Sequence, residues 1–173
     1  MNSLSSVLAI STIALSSIST SAFAKDGKFV IGSIGYSPQI LSQYNGGTTV
    51  YGVGFGLNKG DWSFSVTADS RAYTTQYSSD YQQINSQTLL ANAVYNFKPV
   101  VGKINFYLGG GHGFARVASS TNDYLSLSAV TQVQFGVKMP VSKNFEAFAD
   151  IRDSIKYSID GYPSFNIGGK YNF

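Results

Sequence analysis

The side chains best suited to acyl-transfer chemistry lie close together in one stretch of the sequence. His112 is the only histidine, and Ser119, Ser120 and Asp123 follow shortly after it. A hydrolase of this kind needs a serine within hydrogen-bond reach of a histidine whose ring an acidic residue orients. Because residues 115–120 lead from a glycine-rich stretch into a polar one, the sequence indicates no geometry that would join these groups. We therefore predict no catalytic residue from them.

Other site chemistries lack their residues. The chain has one histidine and no cysteine, and its carboxylates are dispersed, so we predict no metal site and no disulfide. Gly109, Gly110 and Gly111 are not followed by the Lys-Ser/Thr pair of a phosphate-binding loop. A net charge of +3 without a basic run gives nucleic-acid binding no support. We predict no cofactor.

The last ten residues alternate strictly between two chemical types. Phe165, Ile167, Gly169, Tyr171 and Phe173 share one face of an extended strand. The intervening residues on the opposite face are polar or glycine. Transmembrane strands alternate in this way, with apolar residues toward lipid and polar residues toward the lumen. An edge strand of a soluble sandwich is the competing interpretation.

The first 24 residues predict a secretory signal peptide. Residues 4–24 are apolar or small, carry no charge and end in Ala22-Phe23-Ala24, an Ala-x-Ala cleavage pattern. Met1-Asn2-Ser3 lacks the lysine or arginine that usually precedes the apolar run. Two explanations stay open: the true translation start lies upstream, or the signal is a weak one. A membrane anchor is the alternative. We assign residues 1–24 to the signal and residues 25–173 to a single mature domain.

Alternation between turn signals divides the mature domain into eight segments. No helical period and no long apolar stretch stands out within it. The connections between the segments differ in length. The short ones are 58–61, 98–102 and 140–143. The longer, polar ones are 37–47, 74–87 and 117–124, and one of intermediate length is 158–163. The segments cover residues 28–36, 48–57, 62–73, 88–97, 103–116, 125–139, 144–157 and 164–173.

These features predict an all-β fold, an eight-stranded antiparallel up-and-down transmembrane β-barrel. Short turns on one side and longer loops on the other are typical of outer-membrane barrels, in which the short turns are periplasmic. An even number of strands then places both termini in the periplasm. Aromatic residues fall near the expected membrane interfaces, with Trp62, Phe97 and Phe145 among those at the periplasmic ends.

Charged residues within the strands share parity with the polar face. Because a charge at the bilayer midplane costs a few kcal/mol, we predict an interior network of ion pairs and hydrogen bonds, and Gly52, Gly54 and Gly56 would give it room. His112 and Asp153 instead fall on the lipid-facing parity, near the outer edge of the apolar band. The predicted interior residues are Asp69, Arg71, Lys138, Glu146, Asp150, Arg152 and Lys170.

The C-terminal motif resembles the insertion signal of bacterial outer-membrane barrels. Its residues are Asn166, Gly168, Tyr171 and Phe173, and the strand at 106–111 resembles the glycine-rich strands of such proteins. Over the whole mature chain the sequence is similar to the small barrels related to OmpX, the OmpA barrel and the Opa adhesins. The resemblance implies a monomer in the outer membrane of a Gram-negative bacterium, among outer-membrane lipid and lipopolysaccharide. It also implies periplasmic chaperones and the barrel-assembly machinery as partners during biogenesis.

Fold alone does not decide function, and three classes stay open. The first is a non-enzymatic structural or surface-binding protein whose loop tyrosines make contacts. The second is a narrow channel for small solutes or ions, although an eight-stranded barrel is only wide enough for side chains to fill. The third is a lipid A-modifying enzyme that uses His112, although Phe114 stands where the deacylase His-x-Ser pattern has serine. The candidate loop contacts are Tyr44, Tyr77, Tyr81, Tyr124 and Tyr162.

Overall fold

The chain folds into eight β-strands. A computed structural model describes residues 27–38, 47–77, 80–98, 103–119, 125–156 and 159–173. Within these residues no helix is long and apolar enough to cross a membrane. The strands are β1 (Lys28–Ser37), β2 (Thr48–Lys59), β3 (Trp62–Tyr77), β4 (Asp80–Asn96), β5 (Asn105–Ser119), β6 (Leu125–Pro140), β7 (Phe145–Lys156) and β8 (Ile159–Asn172).

The strands form one closed antiparallel barrel in sequence order, which confirms the predicted fold class. Each strand pairs with the next, and β8 returns to pair with β1, for example through Ile34 opposite Ile167. Closure gives every strand two neighbours over the barrel wall, so no sheet edge is left there. The barrel therefore satisfies its backbone hydrogen bonds internally, as a wall in contact with lipid must.

Side chains alternate between an apolar outside and a polar inside. On β8, Phe165 and Ile167 are exposed, whereas Ser164 and Asn166 are buried. The same alternation holds on β2, where Tyr51 and Val53 face outward around the buried Gly52. Among the described residues most buried side chains are polar or charged. A water-soluble barrel would show the opposite distribution, because its outer surface would meet water.

Four strands extend beyond their predicted limits. The loop predicted at 74–87 is wrong, because β3 runs to Tyr77 and β4 begins at Asp80, with these two residues paired. β5 likewise continues to Ser119, and β8 begins at Ile159 inside the predicted 158–163 connection. The prediction used the change from apolar to polar residues as the strand end. A polar composition does not by itself end a strand, and threonine and tyrosine are both frequent in strands.

This correction moves several of the candidate loop contacts into strands. Tyr77 lies at the end of β3, Tyr81 lies in β4 and Tyr162 lies in β8. Tyr44 and Tyr124 fall outside the described residues. The proposed contact role of these tyrosines stays a prediction.

Candidate functional site: the barrel interior and its two rims

The centre of the barrel is built around Arg152. Its Nε donates to Asp150 Oδ1 at 2.9 Å and its Nη2 to Asp150 Oδ2 at 3.0 Å, while Nη1 lies 3.7 Å from Asp69 Oδ1. Tyr107 OH donates to Asp150 Oδ2 at 2.8 Å, and Asn166 Nδ2 donates to Asp150 Oδ1 at 3.0 Å. All five side chains are buried. The carboxylate of Asp150 thus joins β5, β7 and β8 at one point, and Arg152 extends the network to β3.

A second ionic cluster lies closer to the chain termini. Glu146 Oε2 is 3.2 Å from Lys138 Nζ and 3.8 Å from Lys170 Nζ. Lys170 Nζ also donates to Asn58 Oδ1 at 2.7 Å and lies 4.1 Å from the centre of the Phe29 ring. An ammonium group over an aromatic face gains a favourable cation–π interaction. Both lysines are therefore held by a carboxylate shared across three strands.

A cavity of about 60 Å³ separates the two clusters. Its lining includes Glu146 and Lys170 at one end and Asp150, Arg152 and Tyr107 at the other. A volume of this size accommodates a few water molecules, and the polar side chains in its lining offer them hydrogen-bond partners. The cavity is too small for an organic substrate, so we interpret it as part of the hydrated interior of the scaffold.

The other half of the interior is closed by packed side chains. Leu90, Ala115 and Val130 form an apolar cluster whose members are at most 1% exposed. Beside it Gln132 Nε2 donates to Ser154 Oγ at 3.1 Å, and Gln132 itself is 1% exposed. Side chains from the consecutive strands β4, β5, β6 and β7 thus pack together in this half of the lumen. This closure is unfavourable for a continuous water path along the barrel axis.

The structure places all seven predicted interior residues inside the barrel but divides them into groups. Asp69, Asp150 and Arg152 meet at the centre, and Lys138, Glu146 and Lys170 meet near the termini. Arg71 lies apart from both groups, where its Nη2 donates to Ser154 Oγ at 3.4 Å. The sequence interpretation missed Tyr107, Asn58 and Gln132 as partners, because the register of neighbouring strands was not known.

Glycine provides the space for this network at the predicted positions. A Cβ on Gly52 would lie within 2.5 Å of both Asp69 Oδ1 and Ser33 Oγ. Gly35 stands opposite Asn166 in the β1–β8 register, and a Cβ there would collide with the amide of Asn166. Long polar side chains therefore cross the lumen where the facing strand has no side chain.

The C-terminal motif is divided between the two faces of β8. Tyr171 and Phe173 point outward with their ring centres 5.3 Å apart, and both are exposed. Gly168 lies inside against the ring of Phe148, and Asn166 holds Asp150 as described above. Asn166 therefore has a structural role in the folded barrel. The assembly role of the motif stays a prediction.

His112 points outward and bonds to a neighbouring strand. Its Nδ1 lies 3.0 Å from Thr131 Oγ1, and the register pairs these two residues across β5 and β6. Ser120 and Asp123, which follow His112 in the sequence, lie outside the described residues, and Phe114 comes next after His112 on the outer face. In the described part of the chain no three metal-ligating residues cluster. A hydroxyl beside an imidazole on a lipid-facing wall satisfies both polar groups.

Aromatic side chains cluster at the end of the barrel where β1 begins and β8 ends. We call this end the terminal rim; it comprises the described residues among 27–28, 58–62, 95–98, 103–104, 141–145 and 171–173. Trp62 packs against Tyr95 with ring centres 5.2 Å apart, and Tyr95 packs against Phe97 at 5.1 Å. Rings of this kind occupy the interface between hydrocarbon and headgroups. The opposite end, which we call the loop rim, carries the exposed Tyr36.

Comparison with solved structures places this architecture among known membrane proteins. Neisserial surface protein A matches 85% of this chain and 97% of its own, with a TM-score of 0.66 and 17% identity. The N-terminal barrel of Pseudomonas aeruginosa OprF matches 85% and 99%, with a TM-score of 0.57 and 17% identity. The chain has the fold of the small eight-stranded outer-membrane β-barrels.

A further match is an attachment protein. The structure of Ail, the attachment invasion locus protein of Yersinia pestis, was solved in complex with the heparin analogue sucrose octasulfate. The match covers 86% of this chain and 100% of the Ail chain, with a TM-score of 0.56 and 16% identity. No protein-family model and no curated protein matches the sequence. At such identities the likeness to these small barrels extends to the fold and not to a ligand.

Proposed function

We propose that this protein is a non-enzymatic outer-membrane barrel of a Gram-negative bacterium that binds other molecules at the cell surface. The barrel is the scaffold, and the binding element is the tip of the β3–β4 hairpin, residues 74–77 and 80–83. The observation that carries the proposal is that β3 and β4 stay paired to the end of this hairpin, from Thr74 opposite Gln83 to Tyr77 opposite Asp80.

The hairpin tip extends past the described pairs that β3 and β4 form with β2 and β5. Among the described strands β2 pairs with β3 only as far as Val50 opposite Arg71, and β5 pairs with β4 only as far as Ile84 opposite Ser119. Four further residue pairs of β3 and β4 extend the hairpin by about 14 Å. We propose that an extended ligand pairs with backbone groups on an edge of this tip, a common mode of peptide recognition.

The composition of the tip indicates the kind of ligand. Residues 74–83 include two tyrosines and three glutamines and carry Asp80 as their single charge. Tyrosine is frequent among residues that dominate binding energy. A tip without lysine or arginine does not favour a highly sulfated ligand such as the heparin analogue bound by Ail. We therefore propose a neutral or basic protein or glycan surface as the ligand.

The barrel interior supports a scaffold more than a channel. Leu90, Val130 and Gln132 are packed in one half of the lumen, and Arg152 of β7 pairs with Asp69 of β3 at its centre. Opening a path would require breaking buried ion pairs, which is costly. The enzyme alternative has only the pair of His112 and Thr131, with Nδ1 and Oγ1 in contact, and no acidic partner for the imidazole among the described contacts.

The proposal includes the expected route and surroundings of the protein. We propose cleavage of residues 1–24, which lie outside the described residues. Periplasmic chaperones and the barrel-assembly machinery would then deliver a monomer to the outer membrane, among phospholipid and lipopolysaccharide. The termini would face the periplasm, because the short connections lie at the terminal rim.

Shortening the hairpin tip tests the proposal. Residues 74–83 are replaced by Asn-Gly, which suits a two-residue turn between Tyr73 and Ile84, a register pair. Bacteria that display the barrel are counted on cultured epithelial monolayers. We expect adhesion to fall at least about tenfold, since loss of a dominant contact region costs more than about 1.4 kcal/mol.

Two controls make this result specific. The variant Thr75→Ser/Gln82→Asn keeps the length and polarity of the tip, and we expect it to retain adhesion. Heat-dependent gel mobility reports whether each barrel is folded. A folded, shortened barrel that adheres as well as the original chain would refute the assignment of binding to the hairpin tip.

A further inference from the structure

Lysines are concentrated at the terminal rim. Lys59, Lys98, Lys103 and Lys143 are exposed there, and Lys28 lies at the start of β1. Asp61 is the one exposed acidic side chain among the described rim residues. Elsewhere the charged side chains of the barrel wall mostly face the lumen in ion pairs. The rim thus carries a positive charge that the interior network does not use.

Three of these lysines stand beside an aromatic residue. Lys59 is the register partner of Trp62, Lys98 directly follows Phe97, and Phe173 N donates to Lys28 O at 2.9 Å. Because the aromatic rings mark the membrane interface, the ammonium groups lie at the level of the phospholipid headgroups. The connections here are short, so no segment of the described rim carries these charges far from the bilayer surface.

The structure fixes two of these lysine–aromatic pairs next to each other. Asn96 N donates to Asp61 O at 2.8 Å and Asn96 Nδ2 donates to the same oxygen at 2.9 Å. These bonds tie the β2–β3 turn, which follows Lys59, to the end of β4, which precedes Lys98. The rings of Trp62, Tyr95 and Phe97, which pack edge to face, lie between the two lysines on the outer wall.

We propose that Lys59 and Lys98, with the rings of Trp62, Tyr95 and Phe97, form a binding site for the headgroup of an anionic phospholipid in the periplasmic leaflet. The acyl chains lie along the apolar wall, and the phosphate lies between the two ammonium groups. A basic residue near an anionic surface attracts it electrostatically. The carboxylate of Asp61 opposes part of this attraction, so the site prefers anionic lipid by a few-fold.

The proposal commits to a lipid because of where the charges lie. Electrostatic attraction to a surface decays within about 8 Å at physiological ionic strength. Lysines on short turns beside the aromatic rings are within this distance of the headgroups. Peptidoglycan is an anionic polymer of the periplasm and a competing partner. It would have to approach the bilayer surface to reach these lysines. The site rests on the membrane insertion contained in the proposed function.

Trp62 supplies a probe at the site, because it is the only tryptophan of the chain. The full chain is inserted into phosphatidylcholine vesicles that contain a fixed fraction of brominated phosphatidylglycerol or brominated phosphatidylcholine, and quenching of Trp62 fluorescence is measured. We expect phosphatidylglycerol to associate about threefold more strongly than phosphatidylcholine. The variant Lys59→Gln/Lys98→Gln should reduce this preference to about one, and high salt should weaken it.

Matched variants and lipids make each outcome decisive. Arg116→Gln removes an exposed charge near the far end of β5 and should leave the preference unchanged. Equal quenching by the two lipids in the unaltered chain, or a preference that survives in the lysine variant, would overturn the site. Sedimentation with purified peptidoglycan that depends on Lys59 and Lys98, without a lipid preference, would also overturn it. Absence of quenching by either lipid would instead count against membrane insertion itself.

Discussion

Replacing Asp150 with alanine is expected to lower the free energy of unfolding by about 3–5 kcal/mol, because it leaves a buried charge without its main partner. Arg152 would keep only Asp69, at 3.7 Å, in place of the paired bonds of 2.9 and 3.0 Å to Asp150. The hydroxyl of Tyr107 and the amide of Asn166 would lose their acceptor in the same change.

Urea titration of the barrel in phospholipid vesicles measures this loss, with folded and unfolded forms separated by unheated gel electrophoresis. The same substitution at the exposed Asp61 is the control, and we expect it to change stability by less than about 0.5 kcal/mol. The hydrogen bonds at Asp61 use its backbone oxygen and are kept. A cost within 1 kcal/mol at Asp150 would show that the central network does not hold the strands together.

Introducing valine at Gly136 is expected to destabilise the barrel by about 3 kcal/mol through overpacking. A Cβ at this position would lie 2.5 Å from the carbonyl oxygen of Ala149, 2.6 Å from Tyr107 Cζ and 2.7 Å from Asp150 Cβ. One of these contacts is backbone, so the strand pair β6–β7 must shift. The displaced groups include the ring and carboxylate that hold the centre of the lumen.

Gly32 provides the matched control for this prediction. It also lies in a strand, but a Cβ there would have no heavy atom within 4 Å. The same titration should find Gly32→Val within about 0.5 kcal/mol of the original chain. Equal stability of the two valine variants would contradict the close packing of the lumen at Gly136.

The wall of the barrel could be predicted from sequence because lipid imposes a strict rule on it. Every outward residue of β8 between Phe165 and Tyr171 is apolar or glycine, and the buried residues between them are polar or glycine. The parity of Asp150 and Arg152 then follows from counting positions along β7. The same rule assigns the ends of β3 and β4 wrongly, because strands outside the apolar band no longer need to alternate.

The partners inside the barrel could not be predicted, because they depend on the register of strands distant in sequence. Tyr107 donates to Asp150 from β5, a strand in which the glycines hide the alternation between the two faces. The two residues are 43 positions apart, so no local sequence pattern indicates that they are in contact. His112 was correctly placed on the outer face, but its contact with Thr131 depends on the β5–β6 register. Alternation in one sequence predicts whether a side chain points inward or outward. It does not predict which residue of the next strand lies opposite.

The orientation of the two rims in the outer membrane is the point on which surface binding depends. The absence of cysteine from the chain allows single-cysteine variants without background labelling. Gln82→Cys places a thiol in the hairpin tip, and Ser142→Cys places one at the exposed β6–β7 turn of the terminal rim. Both are treated in intact bacteria with a maleimide that does not cross membranes, and again after the outer membrane is permeabilised.

We expect the thiol at position 82 to be labelled in intact cells and the thiol at position 142 only after permeabilisation. Labelling of position 142 in intact cells, with position 82 protected, would place the hairpin tip in the periplasm and contradict the proposed surface function.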